Sequence, residues 1–112
     1  MQLVSAVIKP FKVDEVRDAL SAINVQGMTT AAVAGVGRQG VHTETDPGTE
    51  YKVNFTPKMR VEVVVDDETV DAVVEAITES ARTGKIGDGK IWVTPVTRMV
   101  RIRTGEQGSD AI

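Results

Sequence analysis

The 112-residue chain contains no cysteine. That excludes disulfide staples, thiolate zinc sites and a thiol nucleophile, and it fits a reducing compartment. Aromatic residues are scarce, with one Trp, one Tyr and two Phe. Together with a net charge of −3 and a pI near 5.1, this leaves neither the stacking platform nor the basic stripe that nucleic-acid binding requires. No apolar run reaches the ~18 residues of a membrane span. The first residues lead straight into an alternating segment closed by Lys9 and Pro10, so no signal peptide is expected and the protein is assigned to the cytoplasm. What is present is 41% hydrophobic and 26% charged, the balance of one soluble domain spanning residues 1–112. A domain of this size buries roughly 65% of its unfolded surface, enough for one modest core.

Local patterns then supply the elements. Residues 3–8 (LVSAVI) are short, apolar and β-branched and stop at Pro10, as a strand does. Residues 12–23 place Val13, Val16, Leu20 and Ile23 at helical spacing, with Asp14 and Glu15 in the first turn where the helix dipole favours acids. Residues 28–36 and 59–65 read as strands. Residues 69–82 form a second amphipathic helix, with Asp67 as the expected N-cap and Gly84 as the expected terminator. Residues 90–94 and 99–103 complete the pattern as two short strands. The order β-α-β-β-α-β defines an α+β, ferredoxin-like fold with a short extra C-terminal strand. The first and third strands carry apolar residues at both parities (Leu3, Val4, Val7, Ile8; Val63, Val64, Val65), so both sheet faces need cover. Two helices cover one face, and a second copy of the chain is expected on the other.

Residues 37–57 lie between strands two and three without apolar periodicity. A loop of about 20 residues is unusual in a compact domain and reads as functional.

Three clusters suit an anion. Residues 82–90 include TGKIGDGK, where three glycines allow backbone amides to approach a phosphate and two lysines add charge. The spacing from Gly84 to Lys90 satisfies G-x-x-x-x-G-K, but Ile91 replaces the Ser or Thr of a P-loop and the segment runs from helix to strand. Arg101 and Arg103 alternate along the last strand, which would send both guanidinium groups from one face about 7 Å apart. Gly35, Gly37, Arg38 and Gln39 stand at the base of the long loop. Each cluster alone has a plain explanation, namely a helix end with its turn, a solvated basic edge, or a strand end. Their coincidence at the loops and strand ends of one small sheet points to an anionic nucleotide. His42 has no second ligand at metal spacing and reads as a solvated loop residue. No nucleophile and base pair can be assembled, so no catalytic residue is assigned. Trp92 reads as core or subunit interface. Tyr51 stands in a polar loop with no core to fill, its hydroxyl open to a modifying enzyme.

These segments resemble the PII signal-transduction proteins, trimeric nitrogen-status sensors. The similarity runs through VIKPFK (7–12), VQGMT (25–29), GVGRQ (35–39), HTE (42–44), GTEY (48–51), ARTGKIGDGKIWVTPV (81–96) and VRIRTGE (100–106). The resemblance implies a homotrimer that binds ATP or ADP in the clefts between subunits. One wall would consist of Thr29, Gly35, Gly37, Arg38, Gln39, Glu62, Val64, Gly87, Asp88, Gly89 and Lys90, and the neighbour would supply Arg101 and Arg103. It also implies 2-oxoglutarate beside Mg-ATP at Gln39, Gly40, Val41, Lys58 and Gly87, with Gln39 on the Mg2+ ion and Lys58 on the distal carboxylate. The long loop would then engage regulatory targets: an ammonium transporter, an enzyme that modifies glutamine synthetase, a nitrogen-responsive regulator. Membrane contact would come only through a transporter, and direct nucleic-acid contact is not implied. Tyr51 matches the tyrosine that relatives carry uridylylated or adenylylated.

Departures from the family pattern concentrate in the loop. Relatives commonly read GRQKGHTE and YRGAEY, whereas Gly40 and Val41 follow Gln39 here, and Asp46 and Pro47 precede GTEY. The alternative reading is therefore a PII-like nucleotide sensor whose small ligand or target lies outside nitrogen control. A small nucleotide hydrolase would need a positioned base, for which Asp88 is the sole carboxylate within the glycine-rich loop. An RNA-binding module on this topology would need aromatics on the central strands, and residues 61–65 have none.

Overall fold

Alternation along the first strand decides how the sheet is covered. The structure, a computed structural model, describes residues 1–36 and 55–112. β1 (Gln2–Ile8) buries Val4, Ala6 and Ile8 completely or nearly so. α1 (Val13–Ala22) adds Val16 and Leu20 to the same cluster, β3 (Thr56–Val65) adds Val61, Val63 and Val65, and α2 (Val70–Ala81) adds Val73, Ile77 and Ala81. Both helices therefore lie on one face of the sheet. β2 (Thr29–Gly35) and β4 (Lys90–Pro95) are its edges, and the strand order is β2-β3-β1-β4 with every neighbour antiparallel. Each strand-helix-strand unit has a strand of the other inserted between its two strands, which is the ferredoxin-like arrangement.

The opposite face carries Leu3, Ser5 and Val7 of β1, cross-strand from Val64, Glu62 and Arg60 of β3 and from Thr94, Trp92 and Lys90 of β4. No helix among the described residues covers it. Trp92 is 42% exposed there, on the surface for which a second copy is expected.

Four expectations need correction. The strand over residues 99–103 does not form. Val100 makes one isolated bridge to Gln107, and the Gly105 and Arg101 amides donate to Arg101 and Glu106 carbonyls at 2.8 Å. Gly105 at φ +74 lets the chain double back on itself instead of extending. Asp67 is not the cap of α2. A 3-10 turn (Asp67–Thr69) intervenes, and the Asp67 carboxylate takes the Met1 amine at 2.9 Å and the Gln2 amide at 3.2 Å. The Met1 ammonium, followed by Gln2, lowers its pKa. Gly84 does not end α2, which stops at Ala81 with Arg82 already extended, and its φ of +79 serves the following loop. Finally, β3 begins at Thr56, so it claims Thr56 and Pro57 from the predicted loop. Pro57 lies at the start of β3, where only Ala34 of β2 pairs with it and β1 has not yet joined at Met59, a strand-end position in which proline is tolerated.

Ile77 is 1% exposed between the sheet and α1. Ile77→Ala is expected to cost about 2–5 kcal/mol, read as a lower urea midpoint at unchanged slope and fixed protein concentration.

Candidate functional site

The segment from Thr83 to Gly89 carries α2 into β4, and Asp88 organises it. Its carboxylate accepts from the Thr83 amide at 2.9 Å, the Gly84 amide at 2.8 Å and the Thr83 hydroxyl. The Lys9 ammonium stands 3.2 Å away and donates to Thr83 Oγ1 at 3.0 Å, while the Lys85 amide donates to the same oxygen at 3.1 Å. The Thr83 hydroxyl therefore gives one hydrogen bond and takes two, its full capacity. The Thr83 hydroxyl foremost, with the two amides and Lys9, holds the Asp88 carboxyl well below the usual carboxylate range. A depressed folded-state pKa means that the stabilisation is present above the ordinary range and is lost progressively as pH falls through that range towards the depressed value. So engaged, Asp88 is not free to act as a general base.

Gly89 is pressed against β1. A Cβ at this position would lie 1.7 Å from the Val7 carbonyl oxygen, and its φ is +99. Gly87 has φ +94, and its carbonyl accepts from the Lys58 ammonium. Gly35 packs against the same lysine, 3.6 Å from a virtual Cβ to Lys58 Cγ. The structure thus gathers Gly35, Lys58, Gly87, Asp88, Gly89 and Lys90 at one end of the sheet. Beneath Gly89 and Lys90 opens a cleft of about 360 Å3, floored by Ile8, Val74, Ile77 and Ile91.

The remaining described candidates lie elsewhere. Thr29 pairs with Glu62, and Val64 pairs with Leu3 at the start of β1. Glu62 also takes an ion pair from Arg60 at 2.7 Å. Val64 and Arg101 line a second cleft of about 670 Å3 with Gly27 and Ile112. Lys90 pairs with Val7 and Val64 with Leu3, so a step of four residues along β1, about 13 Å, separates their levels. The two clefts share no lining residue. The expected Arg101 and Arg103 fork is not built on a strand. Arg101 donates to the Ile112 carbonyl at 2.8 Å and stands 3.5 Å from Glu106, while Arg103 is exposed in a turn. Gly37, Arg38, Gln39, Gly40, Val41, His42 and Tyr51 lie outside the described residues.

Comparison with known proteins decides the family. The family model described as "Nitrogen regulatory protein P-II" matches residues 1–106. The chain belongs to the P-II family. It is 58% identical to the nitrogen regulatory protein P-II of Haemophilus influenzae, 56% to that of Pasteurella multocida and 53% to P-II 1 of Escherichia coli K12. Each alignment spans 112 residues and covers the whole of both chains. Among solved structures, Arabidopsis thaliana PII bound to citrate superposes with a TM-score of 0.84 at 37% identity, covering 99% of this chain and 91% of that one. P-II proteins are signal-transduction regulators and not enzymes, which agrees with an Asp88 fully occupied in holding its own loop.

Within this P-II chain, sequence reasoning missed Lys9 and the Thr83 hydroxyl as parts of the loop's support. An aspartate five residues after a threonine inside a glycine-rich turn is a local signal for side-chain to backbone bonding. Lys9 carries no such signal, because 74 residues separate it from Thr83. Gly89→Ala is expected to combine a left-handed strain with the Val7 collision and to destabilise by at least about 2 kcal/mol. A melting temperature lowered by roughly 8 °C or more, seen by calorimetry, checks it.

Proposed function

We propose that this P-II chain is a homotrimeric sensor. ATP or ADP binds in the clefts between subunits, 2-oxoglutarate joins Mg-ATP there, and the long loop reports the outcome to nitrogen-assimilation targets. The observation that carries this reading is that Lys90 and Arg101, two of the charged candidates, line separate clefts of one chain. A single polyphosphate meets Lys90 and the Arg101 and Arg103 pair together when one copy supplies each. The helix-free sheet face, with Leu3, Val7, Val64 and Trp92 in reach of a neighbour, supports self-association in the same direction.

The glycine-rich loop gives the phosphates backbone amides at left-handed glycines and the charge of Lys90. Gly35, Gly37, Arg38, Glu62, Val64 and Thr29 complete the wall, with Arg101 and Arg103 from the neighbour closing on the charge. Lys58, within reach of Gly87, meets the distal carboxylate of 2-oxoglutarate beside Gln39, Gly40 and Val41. The citrate described for the Arabidopsis relative, a polycarboxylate, supports a carboxylate ligand for the fold. In this reading Gln39 would hold a magnesium ion brought in with the nucleotide, which would offset the phosphate charge. Among the described residues no group of three His, Asp or Glu could cage it, which fits a cation that prefers phosphate oxygens and water to an all-protein site. Among the described residues no helix is long and apolar enough to cross a membrane, so contact with an ammonium transporter would be made as a partner. The other proposed targets are an enzyme that modifies glutamine synthetase and a nitrogen-responsive regulator. Tyr51 offers its hydroxyl for uridylylation or adenylylation, read as a nucleotidyl mass on that residue.

Calorimetric titration tests the reading. Arg103→Ala removes a charge-assisted phosphate contact of about 1.5–3 kcal/mol, so ATP should bind at least about tenfold more weakly. Unchanged affinity would remove Arg103 from the site. For 2-oxoglutarate, binding is expected with Mg-ATP and not with ADP. A turn that needs positive φ at position 41 would strain Val41 by about 1–2 kcal/mol, and on that reading Val41→Gly should tighten 2-oxoglutarate roughly five- to thirtyfold. Binding indifferent to the nucleotide would instead mark a sensor of another ligand.

A further inference from the structure

We propose that Lys9 is a positioning residue for the glycine-rich loop: with the Thr83 hydroxyl and the Asp88 carboxylate it fixes the curl that leaves the Gly87 and Gly89 amides open to a polyphosphate. This rests on the nucleotide reading above and assigns a role to a side chain outside the set of contact residues. Lys9 follows β1 directly, and its backbone is fixed as the entry to the 3-10 turn (Pro10–Lys12), where its carbonyl takes the Lys12 amide at 3.0 Å. The side chain is only 17% exposed, and its ammonium meets both Thr83 Oγ1 and Asp88 Oδ1. A lysine confined between a hydroxyl and a carboxylate, with most of its surface covered, is not placed as a freely moving phosphate hook.

The geometry of the carboxylate points the same way. Asp88 turns back on Thr83 and Gly84, the first two residues of the loop, and so ties its beginning to its end. Lys9 then ties this closed unit to β1. On the far side of Asp88, Gly89 rests on the Val7 carbonyl and Gly87 is held through its own carbonyl by Lys58. Among the described residues neither the Gly87 nor the Gly89 amide donates to any described partner. Two open amides at φ +94 and +99 flank a carboxylate that is itself neutralised from within. If Lys9 were absent, Asp88 would keep an uncompensated charge beside those amides, and an incoming phosphate would meet repulsion where it now meets donors.

The test uses the full chain and ATP. Lys9→Met keeps the aliphatic stem and removes the charge, and ATP is expected to bind roughly tenfold more weakly by calorimetry with little change in melting temperature. Lys9→Arg should restore most of the affinity. Lys9→Met combined with Asp88→Asn should be no weaker than the weaker single variant, because both act through one loop. Wild-type affinity in Lys9→Met overturns the proposal, and so do losses that multiply in the double variant, the result expected if Lys9 touches the ligand itself. Should Lys9→Met fail to fold, Thr83→Val removes the hydroxyl that both groups share, with the same expected loss and the same overturning result. A wild-type protein that binds no ATP overturns the nucleotide reading instead. Amide hydrogen exchange over residues 83–90 then decides the role of Lys9, with faster exchange in Lys9→Met supporting it and unchanged exchange overturning it.

Discussion

Hydrogen bonding along both edges of β1 is the constraint on which the other elements depend. Because β3 and β4 pair with it in fixed register, seven residues dictate which side chains of three strands share each face. A slip of one residue would move Val4, Ala6 and Ile8 to the helix-free face and Leu3, Ser5 and Val7 into the core. The end of β1 is equally consequential. The Val7 carbonyl seats Gly89, and Lys9 reaches Asp88 one step beyond the strand. The loop between α2 and β4 is thus built against the strand as much as within itself.

The organisation of that loop explains why a regulator can carry a phosphate-loop spacing without being an enzyme. Asp88 spends its oxygens on two amides, a hydroxyl and an ammonium. A carboxylate so satisfied is held ionised and turned inward, with nothing left over to accept a proton from a nucleophile. The same contacts cost the loop its freedom before any ligand arrives. Pre-ordering of this kind reduces the entropy that binding must overcome.

Among the described residues, several of the anion-contact candidates stand at opposite ends of the sheet. Glycine-rich loop and Lys58 stand at one end, Val64 and Arg101 at the other, with separate clefts beside them. The helix-free face lies between these ends and carries apolar side chains from β1, β3 and β4.

Periodicity and turn chemistry made most of the fold readable. Apolar spacing located both helices and four strands to within a few residues, since it reports burial on one face and each element must bury a face to form. The glycines of residues 82–90 point to amides that approach a phosphate, whereas the close approach of Gly89 to the Val7 carbonyl is set by where β1 ends. The sequence also carries the family, through residues 81–96 and 100–106. What periodicity could not decide were events set by distant neighbours. Asp67 lies beside the amino end of the chain because Gln2 pairs with Val65, and so it serves Met1 rather than α2. Residues 99–103 have strand composition, yet Gly105 and the Val100 to Gln107 bridge fold them into a hairpin of their own. Lys9 and Thr83 acquire their roles only when β1 ends beneath the loop. Local propensity depends on a few adjacent residues and is therefore legible in order along the chain. A hydrogen bond across 74 residues exists only after the sheet has fixed which ends meet.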